Sequence, residues 1–312
     1  MAAPLSSNSA TPGRSVAVSS LRTRAPSVFA SAQAATPARE PATPFLKWAG
    51  GKSRLVAQLR ALLPPAYHRR RHIETFVGGG ALFFAWRPER ALLMDLNGDL
   101  IHTYSVLRDH PTELGVALAS LQAAHSEAHF YGIRDTYNAR TSRCVIERAA
   151  HFIYLNKTCF NGLHRVNQSG AFNVPFGRYD HPKIFDETTL VRASRALADA
   201  ELVHASFERV LRLAKPGDFV YFDPPYEPIS TTANFTAYAA ESFGRAEQMR
   251  LREVFAALDA RGCKVMLSNN DTPFTRELYA RWQVDIVVAP RAISCDASKR
   301  SAVTEVVARN YR

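Results

Sequence analysis

Cysteine is scarce. The four in this 312-residue chain, Cys144, Cys159, Cys263 and Cys295, form no C-x-x-C pair and no zinc-ligand spacing. A disulfide framework is thereby excluded, no metal site is expected, and the protein reads as reduced and cytoplasmic. None of the four follows a proline in a motif suited to attack on cytosine C5. No apolar run approaches the ~20 residues that a membrane span needs. No internal repeat is visible, and no cluster of acids with a nearby lysine marks a nuclease. Acids are also scarce at the N-terminus, where Glu40 stands alone against Arg14, Arg22, Arg24 and Arg39. Residues 1–43 are otherwise rich in Ala, Ser, Pro and Thr, too poor in apolar area to offset chain entropy, and read as a disordered extension. Organelle transit peptides share that composition.

The stretch Phe45 to Leu55, FLKWAGGKSRL, ends like a phosphate-cradling P-loop. That motif requires a glycine five residues before the glycine of Gly-Lys-Ser, and a strand before it. The position holds Leu46, and a Pro/Ala/Ser-rich segment precedes it. Gly50-Gly51-Lys52-Ser53 therefore serves a ligand other than a nucleoside triphosphate held by a P-loop.

A formal net charge of +11 favours a polyanionic partner. From Phe45 onward short apolar runs alternate with helical patterns, which indicates α/β architecture. Strands are expected at HIETFVGGG, RALLMDLN, DFVYFDPPY, CKVMLSNND, QVDIVVAP and AVTEVVARNY. Leu251, Val254, Phe255 and Leu258 fall at helical spacing, with Gly262 where a C-cap belongs. From about Ile101 to Phe185 the rhythm breaks into a mainly helical block that turns Asn/Gly-rich at Asn156 to Tyr179, read as an insertion with its own function.

Two sites at strand ends carry chemistry. Phe76, Gly78 and Gly80 form an F-x-G-x-G turn in which the missing Cβ atoms admit a ligand to the backbone. Asp95 follows near the spacing at which an acid accepts ribose hydroxyls. A structural glycine turn gives the same pattern, and the full dinucleotide fingerprint is not met. The second site, Asp223-Pro224-Pro225-Tyr226, ends a buried strand. Its prolines remove two N–H donors and fix carbonyl oxygens in space. Asp223 and the Pro224 carbonyl can accept both protons of an exocyclic amine, while Tyr226 stacks on the ring that bears it. That arrangement frees the amine lone pair for attack on an electrophilic methyl group.

Taken in order, Phe45–Leu55, Phe76–Gly80, Asp95, the inserted block and Asp223–Tyr226 resemble the Dam family of DNA N6-adenine methyltransferases, essentially from Pro44 to the C-terminus. FLKWAGGK, LNKTCFNGLHRVNQSGAFNVPFGRY, DPPYEPISTTANFTAYAAESF and RAISCDASKRSAVTEVV each resemble family counterparts. The resemblance implies a Rossmann-like α/β methyltransferase sheet, residues 44–100 and 186–312, with a DNA target-recognition domain inserted at 101–185. It implies S-adenosylmethionine as donor and the adenine of GATC in double-stranded DNA as target, at the nucleoid; a monomer is expected because the recognition block belongs to the same chain. Trp48, Lys52, Phe76, Gly78, Gly80, Asp95 and Asp223 would then contact the cofactor. Lys47, Phe160, Asn161, Leu163, Arg165 and Pro175 would contact DNA, Arg165 donating twice to a guanine. The family usually carries tyrosine where this chain has Phe160, which keeps stacking and loses a hydroxyl. The segment TTANFTAYAAESF would close over a flipped base. Lys299 and Arg300 would add phosphate contacts in a loop that departs from the family's glycine-containing form.

Other substrates remain alternatives. Related sites for glutamine and several RNA targets commonly carry Asn in place of Asp223, and cytosine-N4 enzymes Ser, so the acid favours DNA adenine. A DNA-binding regulator without catalysis is the alternative from another class, opposed by intact Lys52, Asp95, Asp223 and Tyr226.

Overall fold

Alternating apolar residues that face two covered layers build the centre of this protein. The computed structural model describes residues 42–226, 243–289 and 303–312. The sheet it contains has seven strands: β1 (His72–Glu74), β2 (Ala91–Asp95), β3 (Ala200–His204), β4 (Phe219–Phe222), β5 (Lys264–Asn270), β6 (Gln283–Ala289) and β7 (Val303–Arg309). Their order across the sheet is β3-β2-β1-β4-β5-β7-β6. All neighbours run parallel except β7, which lies antiparallel between β5 and β6. Ile73 sits level with Leu92 on one side and Val220 on the other, and Val220 with Val265. With Met94, Phe222 and Leu267 these residues build the core of one face. Phe219, Tyr221, Met266 and Val307 alternate onto the other. Burial on both faces is the rule for parallel strands and explains their continuous apolar runs.

Ten α-helices flank the described sheet: α1 (Val56–Ala61), α2 (Ala81–Trp86), α3 (Gly98–Asp109), α4 (Pro111–Ala123), α5 (Glu127–Asn138), α6 (Val145–Thr158), α7 (Glu187–Leu197), α8 (Val210–Leu213), α9 (Arg245–Ala260) and α10 (Pro273–Leu278). Leu251, Val254, Phe255 and Leu258 of α9 are all buried against the sheet, as their spacing predicts. The helix ends where Gly262 adopts φ +85°. Gly262 N–H donates to the Asp259 carbonyl at 2.9 Å and Cys263 N–H to the Leu258 carbonyl at 3.1 Å, the paired bonds of a Schellman cap.

One strand went unread in the sequence. β3 is an edge strand whose Glu201 and His204 are exposed, so it presents no apolar run. Helices α4 to α6 share a core with their surroundings: Phe45, Phe84, Leu107, Leu118, Phe130, Phe152 and Leu190 belong to one apolar cluster, which also takes in Ala42. No helix among the described residues is long and apolar enough to cross a membrane, and no group of three or more His, Cys, Asp or Glu there is gathered to hold a metal. Cys144, Cys159 and Cys263 are free. Residues 1–41, most of TTANFTAYAAESF, Cys295, Lys299 and Arg300 lie outside the described residues.

The strand order reverses between β1 and β4, and in open α/β sheets the crevice beyond the carboxyl ends at such a point receives ligands. This topology brings the glycine turn after β1 and the Asp-Pro-Pro-Tyr segment after β4 side by side.

Candidate active site

The turn after β1 is a cradle that only glycine can line. Gly78 has φ +47°, and a Cβ there would lie 2.7 Å from Cδ1 and 2.8 Å from Nε1 of Trp48. Trp48 thus packs close on the turn, and its indole stacks on His164 at 5.6 Å and 18°. Gly80 has φ +68°, and a Cβ there would meet the Tyr104 hydroxyl at 2.7 Å. That hydroxyl donates to the Gly78 carbonyl at 3.0 Å and fixes the turn from beneath.

Asp95, at the end of β2, faces the same turn. Its Oδ2 accepts from Gly78 N–H at 3.0 Å and its Oδ1 from Asn97 N–H at 2.9 Å. Burial pushes its pKa up, opposed by these backbone donors. Each carboxylate oxygen keeps a lone pair for a further donor, which suits a ribose diol. Just past β1 the Thr75 hydroxyl is buried without a partner among the described residues. The missing Cβ atoms of the turn thus make room for Trp48 and Tyr104; beside it, an acid with spare acceptors and an orphaned hydroxyl fit the nucleoside of S-adenosylmethionine. Phe76 turns elsewhere: its half-buried ring stacks on Phe207 at 5.6 Å and meets Phe222 and Phe243 edge-on.

The Gly-Gly-Lys segment resolves into a short 3-10 turn, Lys52–Arg54, that sends Lys52 inward. The Lys52 side chain is only 4 % exposed, and Nζ pairs with Asp223 Oδ1 at 2.8 Å while donating to the Gly50 carbonyl at 2.7 Å. It also sits 4.6 Å above the centre of the Tyr226 ring. Burial raises the Asp223 pKa to about 6, with Lys52 holding it down and the acids Glu305 and Glu74 adding to the rise. Tyr226 is anchored by its hydroxyl, which donates to Glu305 Oε2 at 2.6 Å. The Pro225 carbonyl accepts from Gln248 Nε2 at 2.9 Å. Pro224 is buried between them.

The Asn/Gly-rich stretch forms an irregular hairpin, with antiparallel bridges Cys159↔Phe176 and Val166↔Phe172. Asn156, at the end of α6, joins it to the N-terminal segment. Its Oδ1 accepts from Lys47 N–H at 2.8 Å, and its Nδ2 donates to the carbonyls of Lys47 at 2.7 Å and Gly162 at 3.2 Å. Lys47 Nζ reaches the Lys157 carbonyl at 3.2 Å and lies 4.1 Å over the Tyr179 ring. Phe160 is 51 % exposed, and its N–H donates to the carbonyl of the equally outward Pro175 at 2.9 Å. Asn161 is exposed with φ 55°. Arg165 is oriented by Asn173, whose Oδ1 accepts from Nε at 2.8 Å. The hairpin therefore brings Phe160, Asn161, Arg165 and Pro175 into one segment, tied through Asn156 to Lys47. Leu163 instead packs half-buried against the core.

Glu305, Gln248, Asn156 and His164 escaped the sequence reading. Two left a trace there: Glu305 is a lone acid among the apolar residues of β7, and Gln248 lies on the apolar face of α9.

Residues 48–293 match the family described as D12 class N6 adenine-specific DNA methyltransferase. A type II methyltransferase of Lactococcus lactis subsp. cremoris is 39 % identical over 272 residues, which is 86 % of this chain and 95 % of that protein. A type II methyltransferase of Methanocaldococcus jannaschii is 39 % identical over 285 residues, 86 % of this chain and 99 % of its own. The DNA adenine methylase of Escherichia coli K12 is 37 % identical over 266 residues, covering 85 % of this chain and 94 % of that enzyme. With its cradle, its Asp-Pro-Pro-Tyr segment and a match over most of its length, this chain belongs to the D12 class of N6 adenine-specific DNA methyltransferases.

Proposed function

We propose that this DNA adenine methyltransferase acts on the adenine of GATC, flipped out of the duplex into the crevice between β1 and β4. The observation that carries the reading is the Lys52–Asp223 pair at the end of β4, with the Tyr226 ring fixed beside it by Glu305. S-adenosylmethionine is the methyl donor and supplies an electrophilic methyl group on a sulfonium. Trp48, Gly78, Gly80, Asp95 and Lys52 hold it, while the Phe76 ring packs behind the turn against Phe207.

The chain's own residues prepare the nucleophile. An adenine amine is weakly nucleophilic because its lone pair is delocalised into the ring. Asp223 and the Pro224 carbonyl accept hydrogen bonds from its two N–H groups, and the Tyr226 face holds the base flat. Preorganised acceptors of this kind need no covalent enzyme intermediate. Asp223 does this as a carboxylate, and the Lys52 ammonium keeps it ionised despite its burial.

The block 101–185 is the target-recognition unit, and 44–100 with 186–312 the catalytic unit. The amine lies inside the base stack of B-DNA, so the adenine leaves the helix before reaction. Phe160 is placed to occupy or stack in the gap, Lys47, Asn161 and Pro175 complete the reading surface, and Leu163 supports it from the core side. Arg165 reads a guanine through O6 and N7. Reading surface and transfer site lie on one chain, so the enzyme works as a monomer, at the nucleoid.

Arg165→Ala tests the assignment of specificity. Turnover is measured on duplexes that each carry one substitution in GATC. Discrimination should fall by roughly 10- to 100-fold at one base pair and stay intact at the others. An equal loss on every duplex would remove Arg165 from the base-reading set.

A further inference from the structure

We infer that Gln248 is a positioning residue for methyl transfer, holding the Asp-Pro-Pro-Tyr segment through the Pro225 carbonyl. The inference rests on reading that segment as the transfer site. Gln248 is fully buried on the face of α9 that also carries Leu251, Phe255 and Leu258. A primary amide placed in an apolar layer costs free energy unless every polar atom is paired. Here both ends are paired: Nε2 donates to the Pro225 carbonyl at 2.9 Å, and Oε1 accepts from Asn269 Nδ2 at 2.9 Å. Asn269 is also fully buried, on β5 beside β4, and its own Oδ1 accepts from Asn270 N–H at 2.8 Å. The donors run in one direction, from the β5 backbone through two amides to one carbonyl oxygen.

The identity of that oxygen gives the relay its significance. Pro224 and Pro225 carry no N–H, so the segment cannot be pinned through main-chain donors there. The Pro225 carbonyl is the main-chain handle nearest Tyr226, and rotating its peptide plane turns the Tyr226 ring and tilts the Asp223–Pro224 acceptors. Glu305 holds the next residue by its hydroxyl from β7, so Pro225 and Tyr226 are gripped from two sides of the sheet. Loss of one grip leaves both ligand sites in place and misaligns the acceptors. Such a defect appears in kcat and not in ground-state binding.

Gln248→Met keeps the side-chain length and removes both amide groups. With saturating S-adenosylmethionine and a GATC duplex, kcat should fall about tenfold, equivalent to about 1.4 kcal/mol. The KM for the donor and the Kd for the duplex should stay within about twofold of wild type. Gln248→Glu supplies an independent readout. A buried carboxyl tends to hold its proton, and only the protonated form can donate to Pro225 while accepting from Asn269. The kcat of this variant relative to wild type should therefore rise as pH falls. Wild-type kcat in the methionine variant overturns the inference, and so does a loss spread equally over kcat, donor affinity, duplex affinity and Tm. If the methionine variant does not fold, a pH-independent ratio in the glutamate variant overturns it. Asp223→Ala is assayed in parallel to separate the two levels. An inactive Asp223→Ala beside a fully active Gln248→Met removes only the positioning role, whereas turnover by Asp223→Ala removes the transfer site on which it rests.

Discussion

At the scale of single residues, the site turns on a carboxylate kept charged where burial works against it. Asp223 has its pKa raised to about 6, and Lys52 is the principal group opposing that rise. Above this pH Asp223 is ionised and, in the proposed mechanism, accepts from the amine; as pH falls through it, the oxygen gains a proton and that acceptor is lost. The kcat/KM profile should therefore show an acid limb near pH 6, well above the range of an ordinary aspartate. Lys52→Met should move the limb to higher pH, measured with the donor saturating. A wild-type limb near pH 4, or a downward shift in Lys52→Met, would contradict this electrostatic account. Asp223 and Lys52 were both legible in the sequence as chemistry-bearing residues, but their pairing was not. The two are far apart in the chain, and local pattern carries no information about which charge a buried carboxylate meets.

At the scale of elements, the glycine turn after β1 makes a sharp demand. A methyl group on Gly78 would press into the Trp48 indole, which is already stacked on His164. Gly78→Ala should weaken S-adenosylmethionine binding about tenfold or more in calorimetric titration, because the indole wall must shift. Gly262→Ala is the control: its φ of +85° brings backbone strain of roughly 1 kcal/mol, yet a Cβ there meets nothing within 4 Å. It should lower Tm and leave donor affinity unchanged. Equal donor affinity in Gly78→Ala and wild type would contradict the cradle. The strands on either side of the turn were readable because burial on both faces writes continuous apolar runs into β2, β4 and β5. β3 was not, since an edge strand with exposed Glu201 and His204 carries no such run. Helix periodicity likewise marks Gln248 as buried but cannot say that its partner is Pro225, in a different element.

At the scale of the whole molecule, the order of blocks was the most legible feature: cradle, acid, helical insertion, then the Asp-Pro-Pro-Tyr strand. Their joining was not legible. Asn156 grips the backbone of Lys47 across 109 positions, and His164 of the hairpin stacks on Trp48 of the cradle, so hairpin and cradle share contacts that only folding creates. The net charge of +11 suits a duplex without selecting a sequence. In the proposed function, selection belongs to the hairpin and chemistry to the crevice between β1 and β4. The most direct test of that division incubates the protein with methyl-labelled S-adenosylmethionine and two duplexes, one containing GATC and the other GTTC. Label should appear on the GATC duplex alone and be recovered as N6-methyladenine. Equal label on both duplexes would contradict the assignment of GATC reading to the hairpin, and GATC binding without label on either would contradict the crevice as a methyl-transfer site.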